Sequence, residues 1–138
     1  MTIELTDYHK LAISFIVCII LIFSYGSFRG HNPEYVDPLM KSVGIEGMDG
    51  WSVTHFMFYA ILGYYFPNYW REVLIAGIAW EVFEGAYGKY RPDWMGGFKD
   101  GNINITDGEP WWYARYSDIA VNCVGFIIGS LYAKNILN

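Results

Sequence analysis

Between Leu11 and Phe28 the chain runs for 18 residues without a charged side chain. Coiled as an α-helix at about 1.5 Å per residue, that stretch reaches roughly 27 Å, close to the thickness of a bilayer's hydrocarbon core. Three further apolar stretches follow, Trp51–Phe66, Val73–Gly88 and residues 118–137, which are apolar from Ile119 onward. Each is shorter than a full span or carries polar residues, and would be ambiguous alone. Together they occupy a chain of 138 residues that has room for one domain. The few charges, 17% of residues, gather between the runs, and Trp and Tyr gather at their ends. This pattern predicts an all-α, polytopic membrane protein of about four transmembrane helices in an up-down bundle. The competing fold is a soluble helical core with unusually apolar helices.

The first stretch has the length of a secretory signal, and Ser24, Tyr25 and Gly26 form a passable cleavage site. Met1–Lys10, however, sets Glu4 and Asp7 against a single Lys, which is a poor signal n-region, so an uncleaved first span is expected. Cys18 and Cys123 both fall inside spans and are expected as buried free thiols rather than a disulfide framework. A net charge of −5 disfavours nucleic acid and anionic membrane surfaces as partners, leaving membrane lipids.

The tight link Pro67–Glu72 predicts an antiparallel hairpin of spans two and three. Up-down topology then puts the loops 29–50 and 89–117 on one side of the bilayer. In the second loop, Asp100–Glu109 alternates polar and apolar residues and is expected to form a small hairpin or extended turn. Trp111, Trp112 and Tyr113 are expected as interfacial anchors. The loop side holds Arg29, Lys41, Lys89, Arg91, Lys99 and Arg115, against Lys10, Arg71 and Lys134 on the other. The positive-inside rule would therefore put the loops in the cytoplasm.

The polar residues within the spans are the functional signal. Glu81 and Glu84 interrupt an otherwise apolar and aromatic run from Ile75 to Tyr87. A carboxylate is costly to place in a membrane and normally has a partner and a purpose. Helical spacing puts Gly77, Glu81, Glu84, Gly85 and Gly88 on one face of span three. It does the same for Asp118, Asn122, Gly125 and Gly129 on span four, and for His55, Tyr59 and Gly63 on span two. Gly125 and Gly129 make a small-xxx-small pair, able to pack against another span or to form a homo-oligomer. Counting depth from the helix ends, His55, Glu84, Asp118 and Asn122 should share a level, with Glu81 about one turn deeper and protonated or tied to span two. Lys89, Arg91 and Arg115 flank them as counter-charges.

The stretches Trp51–Tyr59 and Trp80–Glu84, the pair Tyr90 and Arg91, and Asp118–Gly129 resemble the VanZ-like small membrane proteins and the related DUF2585 group of bacterial membrane proteins. The resemblance covers about residues 51–133. It implies family polar positions at His55, Glu81, Glu84, Arg91, Asp118 and Asn122, helix-packing glycines at Gly125 and Gly129, and an association with the cell envelope and glycopeptide tolerance. It carries no settled chemistry. Two departures are a second Glu where the VanZ-like pattern commonly has Gln, and a longer loop around 95–112.

Three uses of such a constellation are open. It can be a hydrogen-bonded knot that only fixes helix register. It can bind a lipid head group or lipid-linked precursor, with Tyr59, Glu81, Arg91 and Asn122 as binding residues and His55, Glu84 and Asp118 as candidates for acid–base catalysis. It can bind zinc or manganese, but no His-x-x-His or Glu-x-x-His spacing supports this, so no metal or cofactor is assigned. Asp100 to Trp111 fails as a calcium loop because Ile105 replaces the required Gly and Trp111 the required Glu. No Gly-x-Ser-x-Gly elbow or phosphate-cradling glycine loop occurs. The leading expectation is recognition of a lipid or lipid-linked envelope ligand, and the alternative is a membrane structural or assembly protein.

Overall fold

The computed structural model of the chain describes residues 5–32, 34–90 and 112–137. Arg91, the stretch Asp100–Glu109 and Trp111 lie outside them. The described residues form four α-helices: α1 (Asp7–His31), α2 (Gly50–Tyr65), α3 (Trp70–Tyr90) and α4 (Tyr116–Leu137), with a 3₁₀ turn at Pro38–Met40. Each predicted span lies almost wholly inside one helix. α1 and α3 run beyond their apolar cores into polar residues, because helix hydrogen bonding continues past the point where hydropathy falls.

Local capping sets the starts. The Thr6 hydroxyl accepts from the His9 N–H at the head of α1. Asp49 does the same for α2, its Oδ1 accepting from the Ser52 N–H at 3.0 Å. Before it, Ser42 and Asp49 form an antiparallel bridge around a turn in which Gly44 and Gly47 take positive φ angles of 85° and 74°.

α2 and α4 touch backbone to backbone. A Cβ at Gly63 would collide with the Phe126 carbonyl, one at Gly125 with that of Phe56, and one at Gly129 with that of Ala60. The small-residue stripe is therefore filled within the chain. α1, by contrast, meets the others through side chains. Phe15 stacks edge-on against Phe58 at 5.6 Å, Phe23 packs against Trp80 and Tyr87, and Leu11 enters a core with Tyr59, Leu62, Phe66, Val73 and Phe126.

All four helices leave large apolar side chains exposed, including Ile16 and Leu21 on α1, Ile61 on α2, Ile75 and Val82 on α3, and Ile127 and Leu131 on α4. Exposed apolar side chains in such number are consistent with membrane association. Among the described residues two helices are long and apolar enough to cross a bilayer, Asp7–His31 and Tyr116–Asn135. α2 has 16 residues, and α3 carries Arg71, Glu72, Glu81, Glu84 and Lys89 along its length.

Candidate functional site

The polar stripes of α2, α3 and α4 converge near the ends of α2 and α4 that face the connecting segments. On α2, Ser52, His55 and Tyr59 fall at helical spacings i, i+3 and i+7, on one face of a helix that Asp49 caps. Ser52 is fully buried, and its hydroxyl donates to Asp118 Oδ1 at 3.0 Å, joining α2 to α4. One turn deeper, His55 Nδ1 lies 3.0 Å from Asn122 Oδ1. Tyr59 is buried, and its hydroxyl fills the space beside Gly77, where a Cβ would come within 2.5 Å of it.

Glu81, rather than Glu84, completes this level. Its carboxylate is 4.0 Å from His55 Nδ1 through Oε1, and its Oε2 accepts from the Arg115 backbone N–H at 3.0 Å. The expectation that Glu84 stands level with His55 and Asp118 while Glu81 lies a turn deeper is corrected here. Depth counted from helix ends holds only where α3 stops level with the start of α4. Instead, residues 112–115 run along the last turns of α3 before α4 begins. The Trp112 carbonyl occupies the space at Gly88, Ala114 sits against Gly85, and Arg115 reaches Glu81. α3 thus projects about two and a half turns beyond the level at which α4 starts.

Glu84 instead faces a cavity of about 820 Å³ between α1, α2 and α3. Its walls are mostly apolar: Phe15, Ile19 and Ile22 from α1, Phe58 from α2, and Ala76, Ala79 and Phe83 from α3. Toward the loop side the lining turns polar with Thr54, His55, Glu84, Tyr113 and Asp118. His55 and Asp118 therefore belong to both the buried cluster and the cavity wall. Tyr59 also lines the cavity, whereas Glu81 and Asn122 stand behind it.

Three contributors have no in-span signature. Asp49 accepts from the Tyr113 hydroxyl at 2.8 Å and from Arg115 Nη1 at 3.1 Å, and the Arg115 guanidinium lies 4.2 Å over the Tyr113 ring. Arg115 is thus the counter-charge of Asp49, not of a glutamate. Burial and the hydrogen bond to Asp49 push the Tyr113 phenol well above its ordinary value, with Arg115 opposing, so it remains a donor across the physiological range. The Asp-x-x-Ser spacing of Asp49 and Ser52 is a readable cap signal. Tyr113 and Arg115 become legible only once the path of 112–115 is known.

Trp112 also departs from its expected role as an interfacial anchor. It is buried against Tyr87 at 4.8 Å and Phe23 at 5.5 Å, seated where Gly88 leaves room. A second polar cluster, unforeseen, closes the loop side of α1: Asp37 accepts from the Tyr25 hydroxyl and Trp51 Nε1, each at 2.9 Å, with Arg29 Nε at 3.9 Å. Arg29 is therefore buried rather than a loop cation. Cys18 and Cys123 are free thiols, half-buried rather than fully buried. Lys89 is exposed.

Comparison of the chain with protein-family profiles, with curated proteins and with solved structures returns no match.

Proposed function

We propose that this is a VanZ-like, four-span integral membrane protein whose cavity receives a lipid or lipid-linked envelope ligand from the bilayer. The single observation that carries the proposal is the character of the cavity, about 820 Å³ with apolar walls and a polar end at His55, Glu84 and Asp118. An amphiphile has that same division, its chain matched to the aromatic walls and its head group to the polar end. The exposed Ile, Leu and Val side chains on all four helices favour a bilayer around the bundle. The envelope assignment comes from the resemblance alone. Binding is the claim, and His55, Glu84 and Asp118 are the groups positioned to move a proton should a reaction follow.

A second reading has its own observation. Ser52 with Asp118, His55 with Asn122, and Arg115 with Asp49 satisfy one another across helices, as a knot that fixes packing would. Glu84 separates the two, because it lines the cavity without belonging to those pairs. The test is lipid extraction and mass spectrometry on protein purified in mild detergent. With binding, a defined lipid class copurifies with the wild type and falls at least fivefold in Glu84→Gln, while helicity and monodispersity hold. Equal lipid content in both proteins, or a Glu84→Gln variant that misfolds, supports the packing role instead.

A further inference from the structure

Behind the cavity, three ionisable side chains from three different helices meet with more negative charge than the described residues neutralise. A ring nitrogen of His55 on α2, a carboxylate oxygen of Glu81 on α3 and one of Asp118 on α4 all lie within 4.8 Å of one another. Glu81 is 3% exposed and Asp118 6%. Glu81 Oε1 is buried with no hydrogen-bond partner and faces His55 Nδ1 at 4.0 Å. An unpartnered carboxylate oxygen in a water-poor interior is costly, and native structures rarely tolerate one without a reason. Among the described residues no Lys or Arg side chain forms an ion pair with either carboxylate; the Arg115 guanidinium is turned to Asp49.

The two carboxylates are also held from outside the cluster. The Arg115 N–H bonds the far oxygen of Glu81 and the Ser52 hydroxyl bonds Asp118; the Asn122 carboxamide oxygen stands 3.0 Å from His55 Nδ1, the nitrogen that faces Glu81, so a metal bound through Nδ1 would replace that contact. Outer hydrogen bonds of this kind orient the ligands of metal sites. Two carboxylates and a neutral imidazole around a dication also sum to zero charge, which removes most of the penalty of burying them.

We propose that His55, Glu81 and Asp118 bind one divalent first-row metal ion. Their mixed nitrogen and oxygen donors suit zinc or manganese, with at least one coordination position left open. Donors around such an ion stand about 3.3–3.6 Å apart when bond lengths are about 2.0–2.2 Å, so the cluster closes by roughly an ångström on loading. Glu81, whose Oε1 has no hydrogen bond to give up, is the side chain that moves. The His-x-x-His spacing is absent because the ligands come one from each helix rather than in pairs from one. His55 and Asp118 also line the cavity, so the open position faces it and would grip an anionic head group. That last role rests on the lipid reading; the ion does not.

The test uses full-length, tag-free protein in detergent, stripped with chelator, reloaded with Zn²⁺ or Mn²⁺, dialysed, and analysed for metal per chain and melting temperature. Expected are close to one equivalent and a metal-dependent rise in Tm, with both lost at least tenfold in Glu81→Gln and Asp118→Asn. Should those variants fail to fold, X-ray absorption on the zinc-loaded wild type decides, expected to show light nitrogen and oxygen donors including one imidazole. Less than 0.2 equivalents in the wild type overturns the site, as does a sulfur shell from the cysteines. Lipid content measured on the same samples keeps the proposals apart: metal without lipid sinks only the ligand reading, and lipid without metal sinks only this one.

Discussion

The α2–α4 interface and the seating of α1 solve the same packing problem in opposite ways. α2 and α4 approach until backbone meets backbone, with Gly63, Gly125 and Gly129 giving up side chains to allow it. α1 is held away by rings, Phe15 on Phe58 and Phe23 on Trp80, and the space left between becomes the cavity. In lipid, apolar surface alone does not drive helices together, so close van der Waals packing and interhelical hydrogen bonds must. α2 and α4 have both, the bonds from Ser52 and His55 adding to the glycine contact. α1 is tied by polar contacts at one end, through Tyr25 and Arg29 to Asp37. Rigidity and room are thus assigned to different interfaces of one small bundle, and the polar cluster sits where they adjoin.

The sharpest way to break this comparison is to put a side chain into the close interface. Gly129→Val drives its Cβ into the Ala60 carbonyl, which belongs to a helix and cannot yield cheaply. Overpacking of this kind costs about 3 kcal/mol or more, a large fraction of a total stability of about 5–15 kcal/mol. Phe15→Leu, a change of comparable size on α1, should cost about 1 kcal/mol. Thermal unfolding in detergent compares them directly. Equal tolerance of both would mean that the helices are not packed so differently.

Next in size is the tether of α1. Asp37→Ala removes the acceptor for Tyr25, Trp51 and the Leu39 N–H together. A hydrogen bond contributes about 0.5–1.5 kcal/mol net, so losing the three should destabilise the protein by about 3 kcal/mol. The loss should be local. Hydrogen exchange is expected to quicken in residues 20–31 of α1 while α2 and α4 keep their protection. Uniform acceleration across all four helices would show that α1 is not a separately held element.

Much of this division is present in the sequence, and the missing part has a physical cause. Helical periodicity finds the inward faces of α2 and α4 because it depends only on spacing, and His55, Asp118 and Asn122 do meet as that spacing implies. It misjudges Glu81 and Glu84 because relative depth depends on where the chain re-enters the bundle. Nothing in the spacing of α3 says that Trp112, Ala114 and Arg115 will run along Gly88, Gly85 and Glu81. The glycines at 85 and 88 record that passage, yet within a sequence they read as helix-packing residues of any kind. Asp37 and Arg29 pair across a loop, where no periodicity exists to align them.

The room beside α1 can be tested without disturbing the glycine interface. Ala79 lies on the cavity wall, and Ala79→Phe adds a ring toward that space. Stability should change by less than about 1 kcal/mol, since the new side chain enters a void rather than a filled core. Copurified lipid should fall several-fold. Unchanged lipid content with unchanged stability would mean that the ligand, if any, binds elsewhere.

A comparably small effect belongs to the rim joining the two regions, where the Tyr113 hydroxyl donates to Asp49 Oδ2. Tyr113→Phe removes one donor, but Asp49 still accepts from Arg115 and from Ser52, so the expected cost is about 1 kcal/mol near neutral pH. Its pH dependence is more telling than its size. Folding raises the Tyr113 phenol above its unfolded value, through burial first and the Asp49 bond second. The neutral form is therefore favoured in the folded state, which binds the proton more tightly than the unfolded chain. That contribution is complete below the unfolded value of about 10 and is lost as pH rises beyond it. Tyr113→Phe should accordingly cost the most at pH 7 and converge on the wild type above about pH 10, as the wild type alone loses this term. Chemical denaturation across pH 7–11 measures the difference between the two proteins. Parallel curves over that range would mean that Tyr113 is not held by Asp49, and that the close interface ends one turn below the rim.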